Sequence, residues 1–287
     1  GAISITHYPN NTLFKAADTF EALKGGIGDL AWIPFTFFTG RFDLVKVMSL
    51  PFMSIPSAEL GSQILQELYE EFPEMEAHFP EGIKVLLLHM SDEYCLFTTE
   101  KPVHNLADLK GMKLRTTQGP QTEMWKKLGA VPTFMSPADV YLSAQTGVID
   151  GEGINWGSVE AFRLYEVFHY CTDVEVARDT FAVVMSLDKW NSLSPDMQDA
   201  ISSVSGTFGA KFFGREHFDK GKASAFARME EGGYQVERIE LQPGELEKWK
   251  EIGGKPVWDG WVANMEEEGL PGQKVLDRAL KLLEEYK

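Results

Sequence analysis

The sequence predicts an α/β protein built as two lobes with a cleft between them. Its 287 residues reach the size at which one hydrophobic core usually stops growing, so two lobes of roughly 100 to 180 residues are expected. Strand-like apolar runs alternate with helical patterns from the first residues onward, which is the order typical of an α/β fold. A second series of short strands begins near Tyr94, where we expect the second lobe to start.

The elements follow from periodicity and from capping signals. The patterns of the first lobe predict a strand over residues 3–7, a helix over 13–24, a strand over 29–33, a helix over 58–72 and a strand over 84–89. In the second lobe they predict a strand over 94–99, a helical turn over 105–110, a strand over 112–116 and a helix over 121–128.

Two serines mark the later helices, because each is followed by a proline and by an acid within the first turn. Ser136 starts a helix that closes at residues 145–147, and Ser194 opens a long one that reaches to about residue 228 and can run along both lobes. Helices over 245–252 and 274–286 complete the chain, with a break predicted at Gly253 and Gly254.

Composition and charge exclude several classes of protein. The net charge is −16, from 43 acidic and 27 basic residues, and the basic residues are scattered, so no nucleic acid partner is expected. No apolar run reaches the ~18 residues of a membrane span. The chain opens directly on a strand-like alternation, and we expect that a removed leader precedes it.

No cofactor and no metal are predicted. The glycines of residues 25–28 precede a strand, whereas those of a dinucleotide fingerprint follow one. Cys95 and Cys171 are too far apart in sequence for a metal knuckle or a redox pair. The residues leave open whether these two are buried free thiols or form a disulfide.

Arg115 is the most informative single residue, because it lies where an apolar strand should end. Ligands of α/β sheets bind at the carboxyl ends of strands, and the guanidinium group matches a carboxylate with two parallel hydrogen bonds. An ion pair with one of the many acids is the alternative. We interpret Arg115 as a carboxylate clamp.

Aromatic and acidic side chains stand at other strand ends. Trp32 is an aromatic wall for a ligand or a core residue, and His89 is the histidine best placed to contact a ligand. Residues 150–156 bring Asp150, Glu152 and Asn155 to the end of a short run over 147–149. Two carboxylates can do acid/base work, but no nucleophile accompanies them, so we favour binding over catalysis.

Seven segments taken together resemble the solute-binding proteins of tripartite ATP-independent periplasmic (TRAP) transporters, the DctP-type family. They are residues 28–29, 50–52, 109–115, 128–132, 140–141, 145–151 and 190–194. The resemblance implies a periplasmic protein without catalytic activity, whose two lobes close by a hinge on an organic acid and share a long helix. It implies a TRAP membrane permease as partner, and we expect a monomer.

Lobe boundaries and site residues follow from the same resemblance. The first lobe is expected to comprise residues 1–92 and about 181–220, and the second residues 93–180 and about 221–287. Arg115 takes the position of the family arginine that pairs with the substrate carboxylate. The family asparagine aligns with Ile154, which leaves Asn155 one position along, and Trp156 is the next candidate.

Departures from the family pattern narrow the range of ligands that we expect. Sialic-acid-type members carry a second arginine on the strand occupied here by residues 94–97, and this chain has none there. With one clamp and aromatic residues at Trp32, Trp156 and Phe181, the ligand is expected to be a monocarboxylate with an apolar or aromatic body, such as an aromatic keto or hydroxy acid. Small branched hydroxy acids remain open.

Three further expectations depend on the resemblance. A strand and a helix, roughly 30 residues, usually precede the segment that opens this chain, and we expect them to be absent here. Cys95 and Cys171 would be neighbours in this fold, which favours a disulfide. The competing functions are an enzyme that acts on an acidic substrate through Asp150 and Glu152, and the receptor of another uptake or sensing system.

Overall fold

The computed structural model describes residues 3–9, 11–38 and 40–286, whose strands form two separate sheets. The strands are β1 (Leu30–Pro34), β2 (Ile83–Met90), β3 (Tyr94–Thr98), β4 (Lys113–Thr116), β5 (Val131–Phe134), β6 (Gly151–Ile154), β7 (Tyr170–Ala177), β8 (Thr180–Ser186) and β9 (Glu237–Ile239). The three-stranded sheet has the order β1-β8-β2, with β8 antiparallel to both neighbours. The six-stranded sheet has the order β5-β4-β6-β3-β7-β9.

Helices cover both sheets. They are α1 (Thr19–Lys24), α2 (Ala58–Glu71), α3 (Pro73–Glu76), α4 (Pro120–Lys127), α5 (Pro137–Gln145), α6 (Trp156–Ala161), α7 (Leu187–Ser192), α8 (Pro195–Ser203), α9 (Gly206–Phe212), α10 (Lys220–Glu231), α11 (Glu245–Trp249), α12 (Lys255–Glu267) and α13 (Gly272–Glu285). Two π-helical segments, Phe213–Asp219 and Lys250–Gly254, join α9 to α10 and α11 to α12. The predicted α/β fold of two lobes is therefore confirmed.

Each sheet has its own hydrophobic core. Residues of the three-stranded sheet, among them Ile33 and Leu88, are buried against α2 and α13. The six-stranded sheet has two cores, one around Trp125 and Trp249 and one around Phe97. Separate cores for the two sheets are what a chain of this length is expected to form.

The C-terminal helices α12 and α13 pack into the core of the three-stranded sheet through Trp261, Met265 and Leu283. Met229 of α10 lies instead in a core of the six-stranded sheet. We therefore propose that the chain passes from the first lobe to the second near residue 220, and that residues 255–286 belong to the first lobe.

Three predicted elements were wrong. Residues 3–9 form no strand and are exposed, because within the described chain no neighbouring strand pairs with them. The predicted long helix is interrupted after α8, where Gly206 adopts a left-handed φ of 56°. Gly253 and Gly254 do not break the last helices; Gly253 packs so closely on Met124 and Leu128 that a Cβ atom would lie 3.1 and 3.0 Å from their side chains.

The long helical stretch is anchored to α2 by polar contacts at the α2 N-terminus. The Asp219 carboxylate accepts hydrogen bonds from the N–H groups of Ala58 and Glu59, at 2.8 and 3.0 Å. Gly214 allows the close approach, because a Cβ atom there would lie 2.4 Å from the Ala58 carbonyl oxygen. Such caps satisfy N–H groups that have no partner within the helix.

Two crossing segments connect the sheets. Residues 91–93 lead from β2 to β3, and residues 178–179 lead from β7 to β8. The Ser91 N–H donates to the Asp179 carbonyl at 3.0 Å, and the buried Arg178 guanidinium donates to the carbonyls of Ser91 and Ile55, at 3.2 and 2.6 Å. The crossing is thus a well-bonded junction between the two sheets.

Candidate functional site

Arg115 is buried at the junction of the two sheets, with a relative exposure of 3%. It lies on β4 directly beside Glu152 of β6, so both side chains extend from the same face of the sheet. Its Nη1 atom forms an ion pair with Glu152 Oε1, and its Nε–H donates to the Met135 carbonyl at 3.2 Å. Nη2 has no hydrogen-bond partner in the described part of the chain, so this nitrogen of the guanidinium group is available.

Glu152 is fully buried, and only one of its carboxylate oxygens is paired. Oε1 binds Arg115, whereas no donor among residues 3–9, 11–38 and 40–286 reaches Oε2. Desolvation by burial raises the pKa of Glu152, and the charge of Arg115 and its hydrogen bond act against that rise. The sequence placed Glu152 beyond the end of a run over 147–149; in the structure the strand is β6 itself, and Glu152 lies inside it.

Asp150 has a structural role at the start of β6. Its Oδ2 atom accepts the N–H of Lys113 at 2.7 Å, and its carbonyl accepts the N–H of Thr99 at 2.9 Å. These bonds fix the position of β3 and β4 relative to β6. Asp150 is therefore bound to β4 through the backbone of Lys113, and Glu152 is bound to it through the side chain of Arg115.

Asp179, on the segment that crosses from β7 to β8, contacts a loop of the three-stranded sheet and is coupled by charge to Arg115. The Thr36 hydroxyl donates to Asp179 Oδ2 at 3.3 Å. Burial raises the pKa of Asp179 to about 6, although the charges of Arg115 and Lys46 lower it. Lys46 is itself buried and pairs with Asp43 at 2.6 Å. The charge of Arg115 therefore acts on a buried carboxylate at the crossing between the two sheets.

Asn155 and Asp92 form a second polar contact between the crossing and the six-stranded sheet. Asn155 caps α6, because its Oδ1 accepts the Ser158 N–H at 3.2 Å, and its Nδ2 donates to Asp92 Oδ1. Burial raises the pKa of Asp92 to about 7, and its Oδ2 has no donor within the described residues. Burial raises the pKa of the Tyr94 hydroxyl well above its usual value, and the negative charge of Asp179 adds to the rise.

Trp156, the residue after Asn155, is buried. Its ring makes an edge contact with Phe97 at 4.7 Å and a tilted contact with Phe226 at 4.5 Å. Phe97 is the β3 neighbour of Glu152. The indole N–H of Trp156 is buried, with no acceptor in the described chain.

Phe37 and Phe134 form an aromatic contact between the two sheets that sequence reasoning missed. Their ring centroids are 6.2 Å apart at an interplanar angle of 73°. Phe37 lies just after β1, and Phe134 ends β5 immediately before Met135, the carbonyl partner of Arg115. In the sequence, the only signal for this contact was the position of the two residues: Phe37 lies just beyond the end of a strand, and Phe134 is the last residue of another.

The predicted aromatic residues Trp32, His89 and Phe181 form a separate cluster. Trp32 stacks on Phe181 at 4.7 Å, and its indole N–H donates to His89 Nε2 at 2.8 Å. His89 also stacks on Phe213 at 4.7 Å, so the cluster lies under the π-helical segment. None of these contacts involves Arg115, and the ligand role of the three residues stays a prediction.

The two cysteines are neighbours, and their thiols are free in this structure. Both are buried; Cys171 lies on β7 opposite Phe97, two residues along β3 from Cys95. Burial and the neighbouring Cys95 thiol raise the pKa of Cys171 far above its usual value. The disulfide that the resemblance favoured stays a prediction.

Two kinds of feature are absent from the described residues. They contain no cluster of three or more histidine, cysteine, aspartate or glutamate side chains able to hold a metal ion. Among them there is also no helix that combines the length and apolarity of a membrane span.

An arginine at the junction of two α/β units, with one guanidinium nitrogen available, is an arrangement suited to a two-lobed binding protein that closes on a small anion. The model of the bacterial extracellular solute-binding proteins, family 7 (DctP), matches residues 1–264, and the chain belongs to this family. Proteins of this family are periplasmic, the location predicted from the sequence.

Individual relatives agree with the family assignment. A solute-binding protein of Roseobacter denitrificans is 29% identical over 72% of this chain and 63% of its own length. The chain thus spans less than two thirds of that relative. The sialic acid-binding periplasmic protein of Vibrio cholerae is 25% identical over 68% of each chain.

Two solved TRAP solute-binding proteins share the fold. The protein from Bordetella bronchiseptica, with bound (R)-mandelate and (S)-mandelate, has a TM-score of 0.87 and 26% identity, covering 98% of this chain and 87% of its own. The protein from Rhodoferax ferrireducens, in complex with copurified benzoate, has a TM-score of 0.84 and 25% identity, covering 94% and 83%.

Proposed function

We propose that the chain is the solute-binding receptor of a TRAP transporter and that it captures a small organic monocarboxylate. The observation that carries this proposal is Arg115, buried between the two sheets with Nη2 unpartnered in the described chain. A carboxylate bound there gains charge-assisted hydrogen bonds in a site shielded from water, where such bonds are strong. Family membership supports the same role.

The body of the ligand is proposed to be apolar or aromatic. Phe37 and Phe134 contact each other between the two sheets, and Phe134 directly precedes Met135, whose carbonyl accepts the Arg115 Nε–H. We propose that these two rings supply aromatic surface to the ligand. Relatives solved with mandelate and benzoate support an aromatic acid, and the lack of a second arginine on β3 disfavours a sugar acid such as that of the sialic acid-binding relative.

The proposed contact residues differ in part from those predicted. Arg115 is retained as the clamp, and Trp156 as a donor through its unpartnered indole N–H. Asn155 is proposed to act indirectly, because both ends of its amide are used by Ser158 and Asp92. For Trp32, His89 and Phe181 we propose a packing role in place of ligand contact, since they bond and stack with one another.

Binding without catalysis is supported by the surroundings of the two acids. Asp150 accepts a backbone N–H and Glu152 pairs with Arg115, so neither carboxylate is poised as a free base. The members of this family are transport solute-binding proteins, not enzymes. We propose a monomer that delivers its cargo to the membrane permease subunits of the transporter.

A thermal-shift screen tests the function, because a ligand that binds only the folded state raises the melting temperature. The protein is first unfolded, dialysed and refolded to remove copurified ligand, then mixed with aromatic, branched aliphatic and sugar acids. We expect the largest rise with an aromatic monocarboxylate that mass spectrometry recovers unchanged. No rise with any acid, or conversion of the acid, would refute the proposal.

A further inference from the structure

We propose that Glu152 determines specificity within this site by accepting a hydrogen bond from a hydroxyl group of the ligand, so that the ligand is a 2-hydroxy acid. This inference rests on the proposed function, and it chooses between the keto and hydroxy acids that the sequence left open.

The inference starts from Glu152 Oε2, a fully buried carboxylate oxygen without a donor in the described chain. Buried polar atoms nearly always have a partner, because an unmade hydrogen bond forfeits the hydration of the group. A ligand donor at this position restores the missing bond. An oxygen that only accepts, such as that of a ketone, instead faces another acceptor.

Connectivity places the donor on the carbon next to the ligand carboxylate. Arg115 Nη1 binds Glu152 Oε1, so the available Nη2 and the unpartnered Oε2 belong to two groups that are already in contact. A carboxylate bound at Nη2 is thus proposed to bring its own 2-substituent toward Glu152. A hydroxyl group further along the ligand has no such fixed relation to this oxygen.

A hydroxyl group fits this position better than an ammonium group. The ammonium of a 2-amino acid carries three N–H donors, and Glu152 offers one unpartnered oxygen, so other donors would be buried without acceptors. The hydroxyl group carries one donor.

The test compares four probes that differ only at carbon 2: mandelate, phenylglyoxylate, phenylacetate and phenylglycine. Their dissociation constants are measured by calorimetry with the wild-type protein and with Glu152→Gln. For the wild type we expect mandelate to bind about tenfold or more tighter than the other three. In Glu152→Gln the dissociation constant of phenylglyoxylate divided by that of mandelate should fall to about one or below, because the amide N–H can donate to a ketone oxygen.

Glu245→Gln is the matched control. Glu245 is also a buried glutamate in an ion pair, here with Lys248, and it accepts the N–H of Leu106 in the second lobe at 2.8 Å. We expect the ratios between probes to be unchanged in this variant. Because each ratio is taken within one protein, partial unfolding of a variant lowers all affinities without changing the ratio.

Several outcomes would overturn the inference. Equal binding of mandelate, phenylglyoxylate and phenylacetate by the wild type refutes it while leaving the receptor function intact, and so does tighter binding of phenylglycine. A ratio that changes in Asp92→Asn but not in Glu152→Gln assigns the hydroxyl group to Asp92, whose Oδ2 also has no donor in the described chain. If the wild type binds no organic acid in the wider screen, the proposed function fails and the inference fails with it.

Discussion

The buried Arg115–Glu152 pair allows a double-mutant cycle that separates its structural role from its role in binding. Arg115→Met alone leaves Glu152 buried without its counter-ion, and breaking a buried pair in this way typically costs about 3 to 5 kcal/mol. Glu152→Leu alone leaves Arg115 with its Met135 bond and the nearby Asp179, so we expect a smaller loss. The double variant replaces both charges by apolar groups, and its stability should return to within about 1 to 2 kcal/mol of the wild type.

Urea unfolding followed by tryptophan fluorescence measures the cycle, since the chain has seven tryptophans. If the double variant loses as much free energy of unfolding as the two single variants together, Arg115 and Glu152 do not act as a coupled pair. Binding is measured on the same proteins: both variants without Arg115 should lose most of their affinity for acids, including the double variant that is folded and stable. Normal acid binding by the stable double variant would refute the clamp.

Three further predictions concern other parts of the molecule. Phe37→Ala and Phe134→Ala should each weaken binding of an aromatic acid by about 1 to 2 kcal/mol, with less effect on a branched aliphatic acid; equal losses for both acids in calorimetry would contradict an aromatic wall. Burial lowers the pKa of His89 from its ordinary value of 6.5 to about 3. The folded state therefore binds fewer protons than the unfolded state, and the free energy of unfolding should fall by about 2 kcal/mol as the pH drops from 6.5 to 5. His89→Gln should lose this part of the pH dependence in urea unfolding. Cys95 and Cys171 should react with a thiol reagent as two thiols per chain after denaturation and not before, whereas no reaction after denaturation would mean a bridge.

Elements with strong local signals could be predicted from the sequence. Ser136, Pro137 and the following acid marked the start of α5 correctly, because a cap is a property of a few adjacent residues. The alternation over residues 3–7 failed, because a strand exists only where a second strand accepts its hydrogen bonds. Gly253 failed for a related reason: its close approach to Met124 and Leu128 depends on tertiary packing.

The candidate site likewise has one part that the sequence could predict and one part that depends on tertiary contacts. The strand-end position of Arg115 was accessible from local pattern and from the family resemblance. Its pairing with Glu152 was not, because it depends on the register between β4 and β6, and the two residues lie 37 positions apart in the chain. The contact of Phe37 with Phe134 depends on two different sheets meeting, and no local pattern reports that.

If the chain binds an organic acid as proposed, the pairing of Arg115 explains how an acidic protein can do so selectively. With a net charge of −16, the molecule does not attract anions from a distance, so affinity must arise from contact within the site. An unpaired buried arginine would hold any small anion. Because Glu152 already balances its charge, we expect the proposed site to favour a ligand that supplies an acceptor to Arg115 and a donor to Glu152 together. An inorganic anion or a simple carboxylate meets only the first requirement and leaves Glu152 Oε2 unpartnered, which is how an unfavourable contact with the wrong ligand produces specificity.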